Sequence, residues 1–257
     1  MAELGLSFGR IALDYDAARP EYASEALDRA QEVLGLGPEA RVVELAAGSG
    51  TLTRALGERF RKLVAVEPDD DMRGVLARRS PHVEALRGTA EQIPLPDRSA
   101  DGVFVGDAFH WFDASAAVSE IARMLRPRGG VALFWNNWWS DDADGTSDSL
   151  DPPLPGSARA LLDEIYVRSG RAAARAEKAD PLAAFAEAPF EPLADERFTR
   201  TRELSAAGVV DLYATVSSVA SLPARERDEL KRELLPLLSE TYRLEVSTVL
   251  LWTRLSQ

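Results

Sequence analysis

The sequence predicts an α/β fold: a doubly wound, mostly parallel seven-stranded sheet with helices on both faces and a C-terminal helical elaboration. Short apolar runs alternate with helical stretches from residue 41 onward, the connections between them are brief, and the longest apolar runs are only of strand length. Strand–helix–strand units feeding one sheet satisfy such a pattern. A chain of 257 residues suits one domain with an addition. The expected division is a core with an N-terminal cover over 1–136, then sheet completion and a helical lid over 137–257.

Arg41 to Leu45 reads as a buried strand, and Thr51 to Phe60 as a helix with Leu52, Leu56 and Phe60 on one face. Leu63 to Val66 is a second strand. Asp69, Asp70 and Asp71 open the next helix, where carboxylates suit the positive end of the helix dipole. Val83 to Leu86 and Asp101 to Gly106 are the third and fourth strands. Ala114 to Leu125 is an amphipathic helix stopped by Arg126-Pro127 and Gly129-Gly130, and Val131 to Trp135 is the fifth strand. Residues 137–156 break the rhythm with Trp138-Trp139, a polar stretch and three prolines. Beyond them the pattern predicts a helix over 157–178, a strand over 197–204, helical stretches over 206–221 and 224–240, and a last strand over 245–255. Val209, Leu212, Tyr213 and Val216 recur at helical spacing and are expected to lie over the pocket mouth.

Thirty Lys and Arg against 42 Asp and Glu leave a net charge of −12. Such a chain repels phosphate backbones and anionic lipid, so neither nucleic acid nor membrane is expected as a partner. The absence of cysteine excludes disulfides, thiolate metal sites and a cysteine nucleophile. Two histidines, His82 and His110, exclude a histidine-rich metal centre, and no metal is expected. Met1-Ala2-Glu3-Leu4 has neither the basic flank nor the apolar core of a secretory signal, which predicts a cytoplasmic location.

The chemistry concentrates after the first strand, in Glu44-Leu45-Ala46-Ala47-Gly48-Ser49-Gly50-Thr51. Small residues let the backbone pass close to a bound group, and Gly48 and Gly50 can take conformations closed to other residues. The spacing is neither that of a phosphate loop nor that of the dinucleotide fingerprint. The second strand ends in Glu67-Pro68, seventeen residues beyond Gly50. A carboxylate there can accept charge-assisted hydrogen bonds from both hydroxyls of a ribose. Together the glycine turn and the acidic strand end point to a nucleoside-containing ligand.

Three further motifs follow in order: Gly88-Thr89-Ala90-Glu91-Gln92-Ile93-Pro94-Leu95-Pro96-Asp97, Phe109-His110-Trp111-Phe112, and Leu125-Arg126-Pro127-Arg128-Gly129-Gly130. With them the chain resembles the class I S-adenosylmethionine-dependent methyltransferases over residues 8–136. More narrowly it resembles the small-molecule group that includes the ubiquinone/menaquinone and trans-aconitate enzymes. The resemblance implies a Rossmann-like fold, S-adenosylmethionine as cofactor, and methyl transfer to a small-molecule acceptor. It further implies that Glu44 fixes the loop of Ala46, Gly48 and Gly50 under the methionine part of the cofactor. Glu67 would hold the ribose, Pro68 would lie against the adenine, and Thr89, Ala90 and Glu91 would meet its edge. Asp107 would border the methyl group and the methionine tail. Tyr15 and Arg19, in the pattern Tyr15-Asp16…Arg19-Pro20…Tyr22, would cover the cofactor. Ala46 stands where the family usually has a glycine, and Thr89 where an acidic residue is common. The candidate catalytic residues are His110, as a general base, and Tyr15, as a base or as an aromatic face toward the sulfonium. Two readings compete: a nicotinamide-dinucleotide oxidoreductase, which explains Glu67 but not the glycine spacing, and a cofactor-binding protein without turnover.

Overall fold

The computed structural model describes residues 11–137, 154–168 and 180–256. One sheet holds β1 (Arg41–Leu45), β2 (Lys62–Val66), β3 (Glu84–Leu86), β4 (Ala100–Gly106), β5 (Leu125–Asn137), β6 (Ala194–Ser205) and β7 (Thr241–Arg254), in the order β3-β2-β1-β4-β5-β7-β6. The first five strands run parallel, and β7 lies antiparallel between β5 and β6. The chain moves outward from β1 to β3, then returns to place β4 on the other flank of β1. That reversal opens a crevice at the carboxyl ends of β1 and β4, where folds of this kind hold ligands.

Helices cover both faces: α1 (Ala12–Ala18), α2 (Ser24–Val33), α3 (Thr51–Gly57), α4 (Asp70–Arg79), α5 (Ala114–Met124), α6 (Gly156–Arg168), α7 (Ala183–Ala186), α8 (Ala206–Ala214), α9 (Ser217–Ala220) and α10 (Ala224–Leu234). The alternation of strand side chains sorts the core into two layers. Phe104 of β4 joins Leu27 of α2, Leu56 of α3, Phe60 and Phe134 on one face. Val103 and Val105 join Phe109 and the Ile121 and Met124 side chains of α5 on the other. The Phe104 ring lies 5.7 Å from Phe60 and 6.2 Å from Phe134, a short aromatic row under α2. In β1, Val42 belongs to the first layer and Val43 and Leu45 to the second. Glu44 therefore projects into the α2–α3 layer and is buried there.

Several elements differ from the sequence expectation in length. The helix from Thr51 ends at Gly57, and Phe60 reaches the core from the turn that follows. β5 begins at Leu125, directly on the end of α5, and extends to Asn137 because β7 pairs with it from Gly130 onward. The 206–221 stretch is two helices, parted at Thr215 and extended Val216. The 224–240 stretch ends as a helix at Leu234 and tightens to a 3₁₀ turn over Leu235–Leu237, where Pro236 has no N–H for the helical ladder. The expected helix over 157–178 is present as α6 to Arg168. Its remainder through 178 and Trp138-Trp139 lie outside the described residues. Asp69 does cap α4, accepting from the N–H groups of Asp71 and Met72. The apolar face of α8 packs inward: Tyr213 lies with Leu162, Leu234 and Tyr242, and Leu212 with Leu244 and Val246. Among the described residues no helix is long and apolar enough to cross a membrane.

The β4–β5–β7 junction leaves no room for a side chain at Gly130. A Cβ there would stand 2.6 Å from a Leu34 methyl and 2.7 Å from the Thr253 carbonyl oxygen. Backbone cannot yield as a flexible side chain can, so Gly130→Ala is expected to cost about 1–3 kcal/mol. Chemical denaturation reads this as a lower midpoint at unchanged slope; a midpoint equal to that of the parent would contradict the packing.

Candidate cofactor site

The loop after β1 turns sharply through left-handed backbone at Ala46 (φ 51°), Gly48 (φ 58°) and Gly50 (φ 94°). Glycine takes this conformation without strain, whereas alanine pays roughly 1–2 kcal/mol for it. Asp107, at the end of neighbouring β4, is also left-handed (φ 49°). Two non-glycine residues in left-handed backbone thus follow the ends of the adjacent strands β1 and β4, and strain of this kind gathers at functional sites. No atom of the described residues, other than those of the neighbouring Ala47 and Ser49, lies within 4 Å of where a Cβ on Gly48 would stand, so among them the loop borders open space. Ala46→Gly is expected to raise stability by about 0.5–1 kcal/mol, relief of strain outweighing the added unfolded-state entropy; a lower thermal midpoint would contradict the strain at that position.

Glu67, at the end of β2, binds the loop in place. One carboxylate oxygen accepts the Gly48 N–H at 2.8 Å and the other accepts the Asp69 N–H at 2.8 Å. Burial pushes this carboxyl up to about 6, the two backbone hydrogen bonds opposing the rise. Glu44 is buried more deeply, and burial drives it up to about 8, against the hydrogen bond it accepts from the Thr53 hydroxyl at 2.6 Å. Glu44 thus fastens β1 to α3 beneath the loop.

Asp107 closes the opposite side. Its N–H donates to the Phe134 carbonyl at 2.8 Å, and its carboxylate accepts from the Tyr22 hydroxyl and from the Asn136 N–H, both at 3.0 Å. Burial raises this carboxyl, with Arg19, Asn136 and Tyr22 opposing. The Arg19 guanidinium sits 4.8 Å from the centre of the Tyr15 ring and donates to the Thr215 carbonyl at the end of α8. Burial also raises the Tyr15 hydroxyl; Arg19 opposes this, while Asp107 and Glu67 add to it. The Tyr15 phenol, Asp107 and Glu67 therefore share one electrostatic environment, and α1 lies across the crevice. Asp16 anchors α1 from beneath through Arg54 of α3 at 2.8 Å and Arg79 of α4 at 3.0 Å.

The structure brings together Tyr15, Arg19, Glu44, Ala46, Gly48, Gly50, Glu67 and Asp107. It treats the third-strand segment differently. The Ala90 side chain is buried in the α5-side core, the Glu91 carboxylate accepts the Asp113 N–H at 2.9 Å at the start of α5, and Thr89 is exposed. Pro68 is half-buried beside Glu67. His110 lies in the 3₁₀ turn Phe109–Trp111, half-buried, its ring 4.8 Å from that of Trp111. Phe109, fully buried, is the core plug of that motif. Tyr22 belongs to the cover pattern but was given no contact of its own, and Asn136 and Thr248 carried no expectation. Tyr22 bonds to Asp107, Thr248 to Ala23 and to Asn136, across 85 to 225 residues of sequence, so no local spacing announces them. Among the described residues no group of three His, Asp or Glu side chains could hold a metal ion.

This geometry agrees with what the chain is similar to. A methyltransferase domain family matches residues 43–133. An uncharacterized methyltransferase of Mycobacterium tuberculosis (strain H37Rv) is 35% identical over 239 residues, which is 92% of this chain and 87% of that protein. The chain belongs to the class I S-adenosylmethionine-dependent methyltransferases. An uncharacterized methyltransferase of Schizosaccharomyces pombe is 31% identical over 232 residues, 90% of this chain and 86% of that protein. The solved structure of a candidate type II methyltransferase from Anaeromyxobacter dehalogenans shares the fold with a TM-score of 0.59 at 19% identity, covering 93% of this chain and 99% of that one.

The residues of this methyltransferase suit such a cofactor. The space at Gly48 is open, and the neighbouring Ser49 and Thr51 hydroxyl oxygens are buried without a hydrogen-bond partner among the described residues. Buried polar atoms of that kind call for a ligand or water. The two raised carboxyls carry a pH dependence. Both Glu67 and Glu44 hold protons more tightly folded than at their ordinary 4.5. Their contribution to stability is full below that value and is lost as pH rises through about 6 and then about 8. The ligand-free protein is therefore expected to melt at falling temperature from about pH 4.5 to about pH 8, with Glu44 alone contributing above about pH 6. Glu44→Gln, which keeps the shape and removes the charge, should flatten the upper part of that curve; an unchanged slope would show that Glu44 does not titrate there.

Proposed function

We propose that this methyltransferase holds S-adenosylmethionine across the carboxyl ends of β1, β2 and β4 and methylates a small-molecule acceptor under the cover formed by α1. The observation that carries the reading is the Glu67 carboxylate, anchored at both oxygens by backbone N–H groups beside the open space at Gly48. A carboxylate has about four acceptor positions. Two are used, which leaves acceptors for the two hydroxyls of a ribose. Pro68 and Thr89 would then border the base, and Ala46, Gly48 and Gly50 the methionine part. When bound, the cofactor supplies a methyl group on a positively charged sulfonium, open to direct attack by a nucleophile.

The remaining work falls to this chain's own groups. Asp107 sets a fixed negative charge on the side where the cofactor is cationic, and the Tyr15 ring offers a π face. Holding the acceptor in line can contribute several kcal/mol to the rate. A carboxylate acceptor needs no base, whereas a hydroxyl or an amine does. The raised Tyr15 phenol keeps its proton near neutral pH and serves as a donor rather than a base. That leaves His110, just beyond Asp107 in the turn after β4, as the candidate proton acceptor. The net charge of −12 disfavours polyanionic acceptors. The end of α8, which receives Arg19, couples the C-terminal elaboration to the cover, consistent with that region selecting the acceptor.

Calorimetry with S-adenosylmethionine, S-adenosylhomocysteine and NAD tests the site. Binding of the first two and not the third is expected. Glu67→Gln, checked by melting to be folded, should weaken S-adenosylmethionine by about tenfold or more, the loss typical of a charged hydrogen-bonding pair. Binding of NAD alone, or an unchanged dissociation constant in the variant, would overturn the assignment.

A further inference from the structure

Asp107 is gripped by a buried polar network that reaches four distant parts of the chain. Besides its N–H bond to Asp107, Asn136 is satisfied throughout its side chain. Its amide nitrogen donates to the Pro20 and Glu21 carbonyls at 2.9 and 3.1 Å, and its amide oxygen accepts the Thr248 hydroxyl at 2.6 Å. The Thr248 oxygen in turn accepts the Ala23 N–H at 3.0 Å. Asn136 and Thr248 are both buried. A buried network with every member satisfied selects a single arrangement, because any other leaves polar groups unpaired. Tyr22 completes it from the other side, its ring standing edge-on to Phe134 at 5.8 Å and its hydroxyl on Asp107. Gly106 makes room for that phenol: a Cβ there would stand 2.5 Å from the Tyr22 oxygen. The backbone so fastened, residues 20–23, follows directly on the segment that carries Tyr15 and Arg19.

We infer that Tyr22, Asn136 and Thr248 are positioning residues for methyl transfer, holding the Asp107 carboxylate at the end of β4 and fastening the cover segment of Tyr15 and Arg19 to it. The inference rests on the cofactor site proposed above. Asp107 is approached by Arg19 and Tyr15 from the N-terminal cover, by Tyr22 from the segment before α2, and by the Asn136 N–H from β5. Burial and the Asp107 charge push the Tyr22 phenol well above its ordinary range, so it stays protonated and donates. Its hydrogen bond favours the ionised form of Asp107. Removing the hydroxyl alone, with the ring kept, therefore leaves Asp107 taking up a proton at higher pH, where it no longer meets a cationic ligand as an anion. Removing the Thr248 hydroxyl frees Asn136 and the Ala23 N–H, and so loosens the cover without touching Asp107 directly.

The test is the affinity of S-adenosylhomocysteine, which retains the amino-acid ammonium group, measured by calorimetry across about pH 5 to 8 for the parent, Tyr22→Phe, Thr248→Val and Thr248→Ser. Tyr22→Phe is expected to bind roughly tenfold more weakly on the acid side, with the pH at which affinity falls displaced upward. Thr248→Val is expected to weaken binding at every pH, and Thr248→Ser, which restores a hydroxyl, to recover most of it. Melting temperatures measured alongside separate folding from positioning. A pH profile in Tyr22→Phe that superimposes on the parent's, or a Thr248→Ser no better than Thr248→Val, would overturn the inference. A parent protein that binds neither S-adenosylmethionine nor S-adenosylhomocysteine would instead overturn the cofactor site on which it rests.

Discussion

The Glu67 carboxylate joins two pieces of backbone that would otherwise have no reason to meet. One oxygen takes the N–H of Gly48 in the loop after β1, and the other takes the N–H of Asp69 at the start of α4. Because β2 lies beside β1 in parallel register, the end of one strand is delivered next to the loop that follows the other. The loop must then turn through left-handed conformations at 46, 48 and 50, and it leaves open space at Gly48. Burying a carboxylate is unfavourable unless its hydrogen bonds compensate. Two backbone donors offset part of that cost, and the raised proton affinity records the remainder. A site built in this way is fixed before any ligand arrives.

The cover over this site is tied to the core by charge. Asp16 is almost wholly buried, at 5% side-chain exposure, between Arg54 and Arg79, which remain 32% and 56% exposed. Partly exposed ion pairs contribute little singly, but here one buried carboxylate is shared by two helices that flank the glycine loop. Arg19, a helical turn from Asp16, reaches the other way, to the Thr215 carbonyl beyond α8. The N-terminal helix thus stands between the helices that flank the glycine loop and the C-terminal elaboration, and both are tied to that one short segment.

How much of this the sequence disclosed follows from the range of the interactions involved. The central strands were legible because β1, β2 and β4 are buried on both faces and are dominated by apolar residues, with Glu44 as the one buried charge in β1, and Glu67 was legible because it follows the apolar run of β2. Strand β6 was harder to delimit. At the sheet edge its exposure alternates, and Arg197, Arg200, Arg202 and Glu203 mask the pattern. Helices α1 and α2 precede the strand–helix alternation on which the reading rested, and they are held by tertiary partners, Arg54 and Arg79 for α1 and the core around Phe104 for α2. The hydrogen bond that the Glu91 carboxylate accepts from the Asp113 N–H could not be read from the sequence, because it depends on the placement of α5. The Asp107 network was beyond reach, since Tyr22, Asn136 and Thr248 come together only once β4, β5 and β7 are adjacent.

In the proposed site the ends of β1, β2 and β4 and the cover from α1 converge on one S-adenosylmethionine pocket. A crystal structure of the chain with S-adenosylhomocysteine tests it most directly. The expected complex has the ribose hydroxyls within hydrogen-bond distance of the Glu67 carboxylate, the amino-acid tail over Gly48 and beside Asp107, and Tyr15 and Arg19 closed above it. A nucleoside seated elsewhere, or seated in the crevice with its ribose turned away from Glu67, would contradict it.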